Sequence, residues 1–259
     1  MAEARLLAQV HAELVITGIH IGHYGLDLEP SMTLSRLCAR LLEALPGTRF
    51  RLGSVEATEV DDLLLRLLEE SRGALAPHLH MPLQSGADPV LRRMRRWHSR
   101  EQYRTRALQI AERIAPLGLG ADIITGFPGE TAEDHRSTLD LVDELPFTYL
   151  HVFPFSPRED TVAATLSDPV PQRVAGERAR SLRERVQEKG ARHRKNRLGQ
   201  RAVVAVEGDG GTGLTGDYLR VGVRTERHAA PPSMVEGALL GDADDLYIVA
   251  PRESGRISA

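Results

Sequence analysis

The chain has 259 residues, 41% of them hydrophobic, and a net charge of −3, which is enough apolar content for one large domain plus a small one. No apolar run reaches membrane-spanning length and no basic-then-apolar signal segment opens the chain, so the expected location is cytoplasmic, with no membrane partner. The single Cys38 excludes an intramolecular disulfide, in keeping with that compartment.

Residues 1–11 are helix-forming and run straight into a strand expected near 13–18. This is either an ordinary N-terminal helix or a βα architecture whose opening strand is missing. Short apolar runs then alternate with amphipathic stretches, the signature of βα units on a parallel sheet. Further strands are predicted near 49–55, 78–83, 120–125 and 149–155. Helices are predicted near 32–45, 59–71, 88–96, 100–116 and 130–145. The helix at 59–71 is the clearest, because Leu63, Leu64, Leu67 and Leu68 recur at helical spacing while Glu59, Asp61 and Asp62 crowd its N-terminal end. Residues 120–131 form a strand-like run that stops at Gly126-Phe127-Pro128-Gly129 and starts a helix from Glu130. The two glycines allow backbone angles closed to other residues, so the turn suits close approach to a ligand, the alternative being a strand-to-helix loop with no ligand.

After Pro171 the texture changes. Residues 172–201 hold 11 Lys or Arg against 3 Glu, and residues 90–106 hold 7 Arg against Glu101 alone. These stretches suit either a polyanion or solvated helix faces. Val203, Val204 and Val206, then Tyr218, Leu219, Val221 and Val223, then Leu246 to Val249 predict a small barrel of short strands, followed by a frayed tail at Arg252 to Ala259. The domain reading is therefore 1–171 for a partial βα barrel, 172–198 for a basic helical connector and 199–259 for a small all-β domain.

In a parallel barrel, side chains just past the carboxyl ends of the strands line the active site. Five predicted strands end on polar groups: Thr17 to His20, Ser54 with Glu56, Gln84-Ser85-Gly86, Thr125-Gly126, and Ser156 to Arg158. Glu56 and Arg158 suit the charged amino-acid end of a zwitterion, while Gln84, Ser85 and Thr125 suit a ribose or base edge. His78 and His80 share a strand face, as a metal pair would, but both are placed near the barrel floor. His151 gets the same floor placement. His20 and His23 have no third ligand in sequence. No metal site is predicted. Nucleophile-elbow and phosphate-loop motifs are absent.

The runs His78-Leu79-His80-Met81-Pro82-Leu83-Gln84-Ser85-Gly86, Val90-Leu91-Arg92-Arg93-Met94 and Asp122 through Thr131 resemble the radical S-adenosylmethionine methylthiotransferases. Thr17 to Gly22 and His151 to Arg158 match as well, and look most like the branch acting on threonylcarbamoyladenosine in tRNA. The resemblance spans essentially the whole chain. It implies a partial (βα) barrel of the radical SAM type that binds S-adenosylmethionine, and a C-terminal TRAM-like domain, suggested by residues 213–218, that helps hold tRNA. The implied cofactor-facing residues are Ser54, Glu56, Gln84, Ser85, Gly86, Thr125, Gly126 and Arg158. Arg92, Arg93, Arg95, Arg96, Arg192, Arg194, Lys195 and Arg197 are the expected RNA contacts, because residues 202–259 carry 5 Arg against 9 Asp or Glu.

Family enzymes use a reduced 4Fe-4S cluster to cleave S-adenosylmethionine, and the resulting radical leads to insertion of a methylthio group on the adenine ring. Lone Cys38, on a predicted helix, cannot hold such a cluster. The resemblance thus implies the C-terminal portion of a longer enzyme, inactive alone. The competing readings are a catalytically dead RNA-binding or scaffold remnant and a metal-dependent barrel hydrolase using His78 and His80.

Overall fold

The computed structural model describes residues 1–208, 211–224 and 233–249, so the tail expected at Arg252 to Ala259 lies outside the described residues. The first part of the chain alternates strands and helices: α1 (Ala2–Leu7), β1 (Glu13–Ile16), α2 (Leu34–Ala44), β2 (Arg49–Leu52), α3 (Asp62–Glu70), β3 (His78–His80), α4 (Asp88–Arg93), α5 (Arg100–Arg113), β4 (Gly118–Thr125), α6 (Ala132–Glu144) and β5 (Tyr149–Pro154). All strand pairs here are parallel. β1 pairs with β2, and β3, β4 and β5 follow in order. Isolated bridges from Phe50 to Leu75 and from Ser54 to His80 join the two groups.

Local chemistry sets the boundaries. The helix expected from residue 59 begins as the 3-10 turn Ala57–Glu59 and becomes α-helical only at Asp62, because Asp61 is the N-cap and accepts from the Leu64 amide at 2.7 Å. β3 stops at His80 although the apolar run continues, since Pro82 has no N–H to donate. Reciprocal caps start α5 at Ser99 with Gln102 and α6 at Thr131 with Asp134.

Strand periodicity divides the faces. Leu14, Ile16, Phe50, Leu52, Leu79, Leu119, Ala121, Ile123 and Val152 face the helices and join Leu64, Leu68, Tyr103, Ile110 and Leu141 in one core. The alternate residues make up a second, concave face. Helix α7 (Gln172–Arg197) then runs back along β4 and β5, burying Ala175, Ala179, Leu182, Val186 and Gly190 at spacings of three and four. Its small residues permit close contact: a Cβ on Gly190 would stand 2.8 Å from the Thr148 carbonyl oxygen.

The remaining strands, β6 (Arg201–Glu207), β7 (Thr212–Thr215), β8 (Arg220–Arg224), β9 (Met234–Gly241) and β10 (Leu246–Val249), close into a barrel in the order β10-β8-β7-β6-β9. Val204, Val221, Val235, Leu239 and Ile248 fill it. β7 and β9 escaped the sequence reading because Gly213, Gly237 and Gly241 interrupt the apolar signal.

Candidate active site

The concave face has two ends. At the amino end of the strands, Glu13 of β1 pairs with both Arg49 and Arg51 of β2. These arginines donate onward to the small barrel: Arg49 to the carbonyls of Val203 (2.8 Å) and Leu214 (2.6 Å), and Arg51 to those of Thr215 (2.8 Å) and Gly216 (2.9 Å). The turn after β7 enters this end. Tyr218 stacks on His78 at 4.2 Å with the Arg51 guanidinium near its face, and Asp217 is gripped by His193 and Arg197 of α7, both at 2.9 Å. Burial alone would raise the Asp217 pKa, but the His193 hydrogen bond and the Arg197 charge hold it at about 2. A cavity of about 1050 Å³ opens at this seam, lined in part by Arg49, Arg113, Arg197 and Arg201. Each of these arginines is tied to a carboxylate, respectively Glu13, Glu69, Asp217 and Glu236, as expected of a seam between modules.

The carboxyl end is different. Gln84 stands here with φ of 66°, a left-handed conformation unusual for a residue with a side chain. Its amide donates to the Asp122 carbonyl at 2.8 Å and its carbonyl accepts from Ile124 at 3.0 Å, so the backbone is pinned while the side-chain amide makes no hydrogen bond among the described residues. Such an outlier at a strand end is a motive for a functional hypothesis. Ser54 is exposed beside it, bridged through its backbone to His80. Glu56 lies between Arg96, which donates at 3.2 Å, and His98 at 3.6 Å. Burial raises its pKa, but His98, Arg96 and His20 together outweigh that and hold it below the ordinary carboxylate value. Arg158 is exposed in the loop after β5.

Four of the expected cofactor residues turn elsewhere. Thr125 donates its hydroxyl to the Ala175 carbonyl of α7 at 2.9 Å, and the Gly126 amide donates to Glu130 at 2.6 Å. A Cβ on Gly126 would stand 2.3 Å from that of Ala175, and Glu130 is itself paired with Arg178 at 2.6 Å. The close approach for which this turn is built is therefore to α7. Ser85 and Gly86 face α6: the Gly86 amide donates to the Thr138 hydroxyl at 3.0 Å, and a Cβ there would meet the Thr138 Cα at 2.6 Å.

The basic residues also divide. Arg92, Arg95, Arg192 and Lys195 are exposed, and Arg93 is exposed while reaching the Pro128 carbonyl at 3.4 Å. Arg96 is paired with Glu56, Arg194 donates to the Ala243 carbonyl at 2.7 Å, and Arg197 is only 5% exposed and spent on Asp217 and Gln200. Arg197 is thus a tie between modules rather than a surface cation.

Two features were not read from the sequence. Trp97 is 90% exposed at the end of the Arg92–Arg96 segment, directly after the arginine that pairs with Glu56. The other corrects the floor placement of His80 and His151. His80 is the last residue of β3 and His151 lies within β5, and both meet Asp122 of β4 midway up the concave face, at 3.1 and 3.2 Å. Only His78 stays at the floor. Strand register carries the signal, since Asp122 is the direct partner of His151 and Gly120 that of His80.

A family model described as the Radical SAM superfamily matches residues 15–142, from β1 through α6. The chain belongs to the radical SAM superfamily. Within it, the chain is 41% identical over 173 residues to the threonylcarbamoyladenosine tRNA methylthiotransferase of Rickettsia prowazekii, covering 66% of this chain and 41% of that protein. It is 36% identical over 209 residues to the tRNA-2-methylthio-N(6)-dimethylallyladenosine synthase of Geobacillus kaustophilus, covering 80% of this chain and 39% of that protein. It therefore spans about two fifths of the length of these relatives. Among solved structures, coproporphyrinogen III oxidase from Escherichia coli, described as a radical SAM enzyme, superposes with a TM-score of 0.55 at 22% identity, over 73% of this chain and 43% of that one. That likeness supports the radical SAM fold. The residues present do not fit an iron–sulfur cluster. Cys38 is 1% exposed on α2, and burial and nearby Asp61 push its thiol up to about 12, so it offers neither access nor the several thiolates a cluster needs.

Proposed function

We propose that the chain is the cofactor- and RNA-facing portion of a tRNA methylthiotransferase that places a methylthio group on carbon 2 of N6-threonylcarbamoyladenosine at position 37. The observation that carries the reading is that relatives named for that modification reach 41% identity over 173 residues, while those named for the dimethylallyladenosine modification reach 37% over 206 residues. The reaction depends on a cluster that this chain's residues do not hold, so their part is binding and positioning.

S-adenosylmethionine is the cofactor whose cleavage would supply the radical. Its adenosyl end suits the Gln84 amide and the Ser54 hydroxyl, two hydrogen-bonding groups at the carboxyl end of the sheet that have no side-chain partner among the described residues. Its ammonium suits Glu56, which is held ionised, and Arg158 suits its carboxylate. Thr125, Gly126, Ser85 and Gly86 contribute by fixing the strand ends against α7 and α6. The exposed cations Arg92, Arg93, Arg95, Arg192 and Lys195 offer phosphate contacts, and Trp97 offers a stacking face. The small barrel, read as TRAM-like, brings Arg192 and Lys195 to the RNA by holding the end of α7.

Competition binding with two forms of one tRNA, with and without the threonylcarbamoyl group at position 37, tests this reading. Tighter binding of the modified form is expected, weakening as salt rises. Equal affinity for both forms contradicts the choice of substrate, and salt-independent binding contradicts the phosphate contacts.

A further inference from the structure

We propose that His80, Asp122 and His151 form a binding site for one divalent cation of the zinc or ferrous class, set in the concave face below the mouth. The inference goes beyond the tRNA reading and does not rest on it.

The three side chains come from adjacent parallel strands and share one face. Asp122 Oδ1 stands 3.1 Å from His80 Nε2 and 3.2 Å from His151 Nδ1, and the three donor atoms all lie within 4.8 Å of one another. Two ligand atoms each about 2.1 Å from a common ion, at angles between octahedral and tetrahedral, stand about 3.0–3.4 Å apart. The two measured edges already have that length. The third edge, between the two histidines, is at most 4.8 Å, and the His151 side chain that closes it is 54% exposed.

Two imidazoles and one carboxylate are a borderline-soft donor set that suits zinc or ferrous iron and leaves coordination positions open toward the mouth. A supporting layer is also present. Tyr149 places its hydroxyl 3.1 Å from His80 Nδ1 and 2.8 Å from His78 Nε2. With Nδ1–H of His80 donating to Tyr149 and the Tyr149 hydroxyl donating to His78, the His80 Nε2 lone pair is directed at the cation. That is the usual outer-shell arrangement for a metal-bound histidine. A second trio, His20, His23 and Glu59, also has converging donor atoms, but both of its histidines are exposed at a 3-10 turn with their rings stacked on each other at 3.7 Å, and no other described residue is hydrogen-bonded to their rings.

Calorimetric titration with zinc chloride tests the site in the full chain carrying His20→Ala and His23→Ala, which silences the surface trio. One equivalent is expected to bind. Adding His151→Ala or Asp122→Asn should weaken binding more than ~100-fold, and Tyr149→Phe about 10-fold. Cobalt(II) substitution should give the absorption bands of a low-coordinate site, lost in His151→Ala. Because His151 is half-exposed, that variant is expected to keep the parent's thermal unfolding curve, and it decides the matter if Asp122→Asn fails to fold. No saturable zinc binding, or binding that survives His151→Ala, overturns the proposal.

Discussion

The two ends of one concave sheet face have opposite characters. At the amino end the buried charged groups are paired within the chain: Glu13 with two arginines, the arginines with carbonyls of the small barrel, and Asp217 with His193 and Arg197. At the carboxyl end Gln84, Ser54 and Arg158 make no side-chain hydrogen bond among the described residues, and Gln84 stands there on a strained backbone. The first pattern holds a fold together. The second is what a binding surface looks like before its ligand arrives, because unpaired polar groups persist where something else is to satisfy them.

The comparison breaks most readily at the floor. Asp217→Ala leaves the Arg197 charge buried without its partner, and a loss of about 3–5 kcal/mol is expected in urea unfolding. A loss under 1 kcal/mol would show that the seam is not a structural lock. Leu182→Ala, which opens space beneath α7, should cost about 2–5 kcal/mol by the same measurement. Acid should act at the floor as well. The folded Asp217 titrates near 2, below its ordinary 3.8, so its contribution of about 2 kcal/mol is complete above pH ~4 and lost as the pH falls through 2. His78 is pushed down to about 3 by burial first and then by Arg51 and His80. The unfolded chain therefore takes up that proton first, and stability declines as the pH drops from about 6.5 toward 3. Both effects have one sign, and chemical denaturation as a function of pH checks them. At the mouth the smallest stability effects are expected: Trp97→Ala and Arg158→Ala should each lie within about 0.5 kcal/mol of the parent. Trp97→Ala should nevertheless weaken tRNA binding about tenfold, in line with one lost base stack.

Much of the fold was legible because strand and helix periods are local. The leucine spacing of α3 and the strand-then-turn pattern at 120–131 needed only neighbouring residues. The site was less legible, because which face a polar group joins depends on register and on packing partners far away in sequence. Thr125 lies at a strand end, as the motif suggests, yet its hydroxyl is spent on Ala175, fifty residues on. Gly126 does require close approach, but to α7. Arg197 sits in a basic run and is nevertheless buried by Asp217, whose position depends on the closure of a second barrel. Conversely, Asp122 gave no signal as a polar site until β3, β4 and β5 were aligned.

Equilibrium dialysis of S-adenosylmethionine against the parent chain, Gln84→Ala and Asp217→Asn compares the two ends directly. Gln84→Ala is expected to weaken binding at least about tenfold, as the loss of a hydrogen bond to a buried ligand does, with little change in unfolding. Asp217→Asn is expected to do the reverse, lowering stability while leaving affinity near the parent's. Unchanged affinity in Gln84→Ala would contradict the assignment of the carboxyl end as the cofactor site.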